Sequence, residues 1–126
     1  MIPSRERRRV QRIKFKQPVS GHIPNGPLEI LDLSLGGVRC EHQFALTSGK
    51  QVRLDFQWMG EKISLLSHVV RCRLQKSERG GGLVYFSGFR FSDPEEIKQS
   101  ALRKVLADVL SRELSEKRSP ASLMEV

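Results

Sequence analysis

Cysteine is scarce in this 126-residue chain, which has two, Cys40 and Cys72. Two thiols cannot make the disulfide framework of a small secreted scaffold, and these lack the close pairing of a zinc site. They read as small buried hydrophobes in a reducing compartment. Long apolar runs are missing as well: the longest, Leu83-Val84-Tyr85-Phe86, falls far short of the about 20 residues that a membrane-spanning helix needs. The N-terminus has charge with no apolar stretch behind it, which argues against a secretory signal, so the expected location is the cytoplasm. Aromatic residues make up 6% of the chain, few for a platform on which nucleic-acid bases stack. Catalytic patterns are absent too. His22, His42 and His68 are scattered away from any carboxylate or thiol at triad spacing, and Gly80-Gly81-Gly82 lacks the Lys-Ser/Thr of a phosphate loop. Each histidine reads as a surface or internally satisfied group, and no enzyme activity, metal or resident cofactor is expected.

What the chain has in excess is positive charge in one place. It carries 22 Lys and Arg against 14 Asp and Glu. Residues 1–16 hold seven of the basic side chains (Arg5, Arg7, Arg8, Arg9, Arg12, Lys14, Lys16) against one acid, Glu6, a local excess of +6 that leaves the remainder at +2. Such asymmetry implies an anionic partner: nucleic acid, acidic lipid or a phosphorylated small molecule. Residues 1–12 are too polar to pack and are expected to form an exposed basic arm.

Residues 13–92 read as strands. Ile13, Phe15 and Val19 lead to Asn25-Gly26, a turn signal, after which Leu28-Glu29-Ile30-Leu31 opens a second run. Val52, Leu54, Phe56 and Trp58 alternate with Arg53, Asp55 and Gln57, the period of a half-buried strand. Met59-Gly60-Glu61-Lys62 reads as a turn, and in the next strand His68, Val70, Cys72 and Leu74 are expected on one face. After the glycine triplet, Leu83 to Phe91 is the last strand. Short strands with frequent turn signals indicate an antiparallel barrel or sandwich. The period then changes. Asp93-Pro94-Glu95-Glu96 has the form of a capping box, and Ile97, Ala101, Leu102, Val105, Leu106, Val109, Leu110 and Leu114 follow at helical spacing. One amphipathic helix is predicted over 93–117, covering the barrel, with a frayed tail over 118–126.

Two segments carry chemistry. The first is Arg7-Arg8-Arg9-Val10-Gln11-Arg12, whose guanidinium forks can grip phosphate, match the O6/N7 edge of guanine or stack on a base. Alone, such an arm also fits nonspecific attachment or solvated charge. The second is Asp32-Leu33-Ser34-Leu35-Gly36-Gly37. Its carboxylate can accept from guanine N1 and N2, its hydroxyl can reach phosphate or base, and its glycines let backbone approach a ligand. Alone, it also fits an ordinary turn followed by a bulge.

With both motifs, Arg12-Ile13 at the start of the first strand, the late Gly88-Phe89-Arg90-Phe91 and the C-terminal amphipathic helix, the chain resembles a PilZ domain over nearly its whole length. The resemblance implies a mainly β fold, a six-stranded antiparallel barrel with a C-terminal amphipathic α-helix, acting as a receptor for the bacterial second messenger cyclic di-GMP. It implies that Arg8 and Arg12 hold phosphates and guanine edges, flanked by Arg7 and Arg9, and that Asp32, Ser34, Gly36 and Gly37 line the other side. Arg7, a long polar residue before the fork, goes by the same analogy with two intercalated ligand molecules. Binding would order the arm and change the surface shown to a downstream protein of motility, exopolysaccharide or secretion machinery. Two readings from other classes stay open: a nucleic-acid-binding barrel, and an interaction module that needs no ligand.

Overall fold

The computed structural model describes residues 12–77 and 80–112. Six strands, β1 (Arg12–Ile23), β2 (Gly26–Ser34), β3 (Gly37–His42), β4 (Gln51–Trp58), β5 (Glu61–Lys76) and β6 (Leu83–Phe91), close into an antiparallel barrel of order β1-β2-β3-β6-β5-β4. Arg12, assigned to the arm by its charge, is the first residue of β1 and pairs with Ser34. The β4–β5 hairpin turns at Met59-Gly60, both at positive φ (52° and 81°), the backbone sense that matches strand twist in a two-residue turn.

The interior is filled by alternate residues: Val52, Leu54 and Phe56 of β4, Ile63, Leu65 and Val69 of β5, Phe89 and Phe91 of β6. Phe15 of β1 meets Trp58 edge to face at 5.0 Å. The pairing of β1 with β2 is interrupted between Lys14 and Val19, a stretch containing Pro18, which has no N–H to donate.

The expected face of β5 needs correction. Ile63, Leu65, Ser67 and Val69 point inward, and Val70 is 46% exposed. The register with β6 slips between Val69 and Arg71, so the phase inverts there. Cys72, beyond the slip, does pack against the core, and Leu74 is exposed. β2 slips in the same way between Ile30 and Asp32, which keeps both Ile30 and Leu33 inside.

The single helix expected over 93–117 is two. α1 (Pro94–Gln99) stops at Ser100, whose backbone is extended, and α2 occupies 102–112, to the end of the described residues. Ser100 is both stop and start. Its hydroxyl donates to the Ile97 carbonyl at 2.8 Å and accepts from the Leu102 N–H at 3.2 Å, the competition with helical backbone bonds that serine favours. The apolar spacing survives the break: Leu102, Val105 and Leu106 are buried in the barrel's own core cluster, where each is worth about 1.5–3 kcal/mol.

Asp93 caps α1 as expected, accepting from the Glu95 N–H at 3.0 Å. Glu96 does not complete the capping box. Its carboxylate instead accepts from the Leu66 N–H at 2.6 Å and from Arg53 at 2.7 Å, clipping α1 to β4 and β5. The Leu66 bond, then the Arg53 bond, hold its pKa below the ordinary value. His42 is buried at 3% exposure. It bonds the Phe44 carbonyl through Nδ1 at 2.8 Å and Ser87 Oγ through Nε2 at 2.7 Å. A carbonyl only accepts, so Nδ1 carries the proton of the neutral ring. Burial pulls the His42 pKa below its ordinary value.

Two outcomes follow. Glu96→Ala is expected to cost about 1–3 kcal/mol in urea unfolding, and Glu96→Gln, which keeps an acceptor for Leu66, less. For His42 the unfolded chain takes up the proton first as pH falls. Its contribution is therefore complete above its unfolded value of 6.5 and is lost as pH drops through the lower folded value. The urea midpoint should fall between pH 7.5 and 5.5 in the natural chain and fall less in His42→Gln. Glu96, also shifted down, loses its contribution only as pH falls below about 4.5.

Candidate functional site

The register of the strands sets one row of side chains across the outside of the barrel. Lys14 pairs with Asp32, Asp32 with Arg39, Arg39 with Gly88, and Gly88 with Arg71. The two slips create this row. Were Leu31 in regular alternation, Asp32 would follow Ile30 into the interior, and were Val70 so placed, Arg71 would follow Val69.

Asp32 is the hub. Its side chain is 8% exposed, and its two oxygens are divided between two guanidinium groups: Oδ1 accepts from Arg12 Nη1, and Oδ2 from Arg39 Nε at 2.8 Å. Charge-assisted bonds of this kind compensate a carboxylate removed from water. The Arg12 side chain is 53% exposed and that of Arg39 35%, so Arg12 is the more accessible clasp.

Ser34, Gly36 and Gly37 build the corner beside it. Ser34 Oγ, buried, accepts from the N–H groups of Gly36 and Gly37 at 3.1 and 3.3 Å. The Gly36 carbonyl accepts from the Phe91 N–H at 2.9 Å. A Cβ on Gly37 would stand 2.0 Å from the Phe89 carbonyl oxygen, so no side chain fits where β3 meets β6. A Cβ on Gly36 meets nothing nearer than Ser34 Oγ at 3.8 Å. Within the motif, serine and the second glycine thus shape the corner, and aspartate supplies the charge.

From this corner an open groove of about 690 Å³ runs over β3, β6 and β5, lined by Arg12, Arg39, Arg71, Arg73 and Arg90, with Gly88 in its floor. Among the described residues no carboxylate lines it. The aromatic residues that line it, Phe86 and Phe89, are themselves buried. Arg7, Arg8 and Arg9 lie outside the described residues. Arg39, Arg71, Arg73 and Arg90 were not expected at the site. The near-neutral balance of residues 17–126 hides them, because their clustering is produced by strand pairing and not by sequence proximity.

Other chemistry finds little footing. Burial, with Asp32 nearby, pushes the Cys40 thiol well above its ordinary pKa, so it is no nucleophile. Among the described residues no three His, Cys, Asp or Glu side chains gather as a metal site, and no helix is long and apolar enough to cross a membrane.

The chain belongs to the PilZ domain family, whose model matches residues 6–108. Solved structures with the same fold include the PilZ domain of YcgR from Escherichia coli with c-di-GMP, at 21% identity and a TM-score of 0.62, covering 88% of this chain and 96% of that one. The K. pneumonia MrkH–c-di-GMP complex matches at 19% identity and a TM-score of 0.62, over 87% of this chain and 53% of that one. The PilZ domain of CeSA from a cellulose-synthesizing bacterium matches at 22% identity and a TM-score of 0.50, over 77% and 96%. No curated protein matches the chain.

The corner can be tested apart from any ligand. Gly37→Ala is expected to destabilise the fold by about 3 kcal/mol or more through overpacking, and Ser34→Ala by about 1–2 kcal/mol through two stranded N–H groups. Gly36→Ala should leave the thermal midpoint nearly unchanged. Equal effects of Gly36→Ala and Gly37→Ala would contradict the assignment.

Proposed function

We propose that this PilZ domain is a receptor for cyclic di-GMP that binds the dinucleotide at the arginine groove and does no catalysis. The observation that carries the reading is the buried Asp32 carboxylate held between Arg12 and Arg39 at the head of a groove lined by arginines. Membership of the family and the two neighbours solved with c-di-GMP support it. The ligand has two phosphodiester charges and two guanines. Guanidinium forks match both, by paired hydrogen bonds to phosphate and by stacking on a base.

The proposed exchange centres on Asp32. The N1–H and N2–H edge of guanine is a fork of donors much like the guanidinium it would replace. A guanine can therefore take the oxygen held by Arg12, releasing Arg12 to a phosphate. Arg39 stays on the other oxygen, so the carboxylate is never left buried and unpaired, a state that costs several kcal/mol. Adenine has no such donor pair, which makes Asp32 a selector for guanine. Arg7, Arg8 and Arg9 would then close over the ligand, two stacked copies of it on the analogy at Arg7. The changed surface would be read by a downstream protein in the cytoplasm. The groove relies on arginine, with its aromatics buried, which disfavours a base-stacking nucleic-acid platform.

Calorimetric titration with cyclic di-GMP tests this. Saturable binding is expected, with cyclic di-AMP at least about tenfold weaker, and Arg8→Ala, Arg12→Ala, Asp32→Ala and Arg39→Ala each losing about tenfold or more, the equivalent of one charge-assisted bond. No binding by the natural chain at high micromolar ligand ends the proposal. Affinity for single-stranded nucleic acid that falls steeply with salt, with no guanine preference, would replace it.

A further inference from the structure

Neither backbone strain nor crowding accounts for the glycine at 88, which stands across from the slip in β5. Its φ is not positive, and a Cβ built on it meets nothing within 4 Å, in contrast to Gly37. A glycine in the middle of a strand weakens it, so the missing side chain serves something outside the barrel. In the strand register Gly88 stands between Arg39 on one side and Arg71 on the other. All three line the groove.

We infer that Gly88, Arg39 and Arg71 form a slot for a planar purine ring. Resting on the receptor reading above, this assigns the slot to one guanine base of cyclic di-GMP. Adjacent strands are about 4.8 Å apart, so Arg39 and Arg71 stand roughly 10 Å apart at their Cα atoms. A flat ring between two guanidinium planes needs about 7 Å, twice the optimal separation of non-bonded carbons. The ring fits between the planes, and the bare backbone at Gly88 lets its edge reach the sheet. Arg39 has its Nε committed to Asp32 at 2.8 Å, which fixes its side chain in place, while the flat face of the group can still stack. Arg71 is exposed, and among the described residues no carboxylate pairs with it. The two arginines therefore have different tasks: Arg39 is a fixed wall and Arg71 a wall that closes. A phosphate in the slot would ask for charge from both and would be indifferent to planarity. A ring asks for planarity.

The test is calorimetry with cyclic di-GMP on the natural chain and on Gly88→Thr, Arg71→Lys and Arg71→Ala, with thermal melts of each. Gly88→Thr should melt at or above the natural midpoint and bind about tenfold or more weakly, because its side chain fills the slot. Arg71→Lys should lose about as much affinity as Arg71→Ala, several-fold, since lysine keeps the charge and loses the plane. Natural affinity in Gly88→Thr overturns the slot. So does natural affinity in Arg71→Lys when Arg71→Ala is weak, which would mark a phosphate site. If Gly88→Thr melts early, the Arg71 pair decides. Failure of the natural chain to bind would instead remove the receptor reading itself, so the two failures are distinguishable.

Discussion

A strand gives alternate residues to opposite faces, and an unbroken barrel with an apolar interior would therefore draw Asp32 in behind Ile30 and Arg71 in behind Val69. Moving such charges into the core costs several kcal/mol each even after relaxation. One extra residue in β2, Leu31, and one in β5, Val70, invert the phase at these points. The extra residues are disposed of differently. Leu31 is buried in a small cluster with Val84 and Phe86, whereas Val70 is 46% exposed in the wall of the groove. The row from Asp32 to Arg71 depends on those inversions, because they put this aspartate and this arginine on the same outer surface as Arg39.

On that surface the work is divided. Ser34 and Gly37 act on backbone: one satisfies two N–H groups at the turn, the other lets β3 approach β6 to a distance no Cβ allows. Asp32, Arg12 and Arg39 act by charge. A carboxylate this buried needs a constant partner, and two guanidinium groups on one carboxylate leave one positive charge over, suited to an anion. The groove beyond adds Arg71, Arg73 and Arg90, so positive potential extends from the corner across β6 to β5.

Much of this was legible in the sequence where a local rule sufficed. The alternation of Val52, Leu54 and Phe56 identifies β4, Met59-Gly60 its turn, Asp93 a cap, and the D-x-S-x-x-G segment a corner with chemistry. The rest depends on partners distant in the chain. The phase of β5 beyond Val69 is set by its pairing with Phe89 and Gly88, so a reading by period alone put Val70 on one face with His68, Cys72 and Leu74 and overlooked Arg71 and Arg73. Glu96 stands where a capping box needs it, yet Leu66 and Arg53 offer stronger partners. Ser100 interrupts a helix whose apolar stripe runs on regardless, since spacing records burial and not hydrogen bonding. Arg39 carried one local hint, its place two residues beyond Gly37, without meaning until β2 and β3 are paired.

The two halves of the site also differ in how firmly they are held. β6 is bonded on both edges, to β3 and to β5, and its inward residues Phe89 and Phe91 are part of the core. Gly88 and Arg90, on either side of Phe89, thus sit on a floor that cannot shift without disturbing the barrel. Arg12 sits at the opposite extreme. It begins β1, whose pairing to β2 lapses after Lys14 until Val19 and whose pairing to β4 is confined to Gly21 and His22. Local opening is cheapest where backbone pairing is thinnest. Of the two clasps on Asp32, Arg12 is therefore on the compliant strand and Arg39 beside the rigid floor. A ligand that displaced Arg12 would spend little of its binding energy on deforming the barrel.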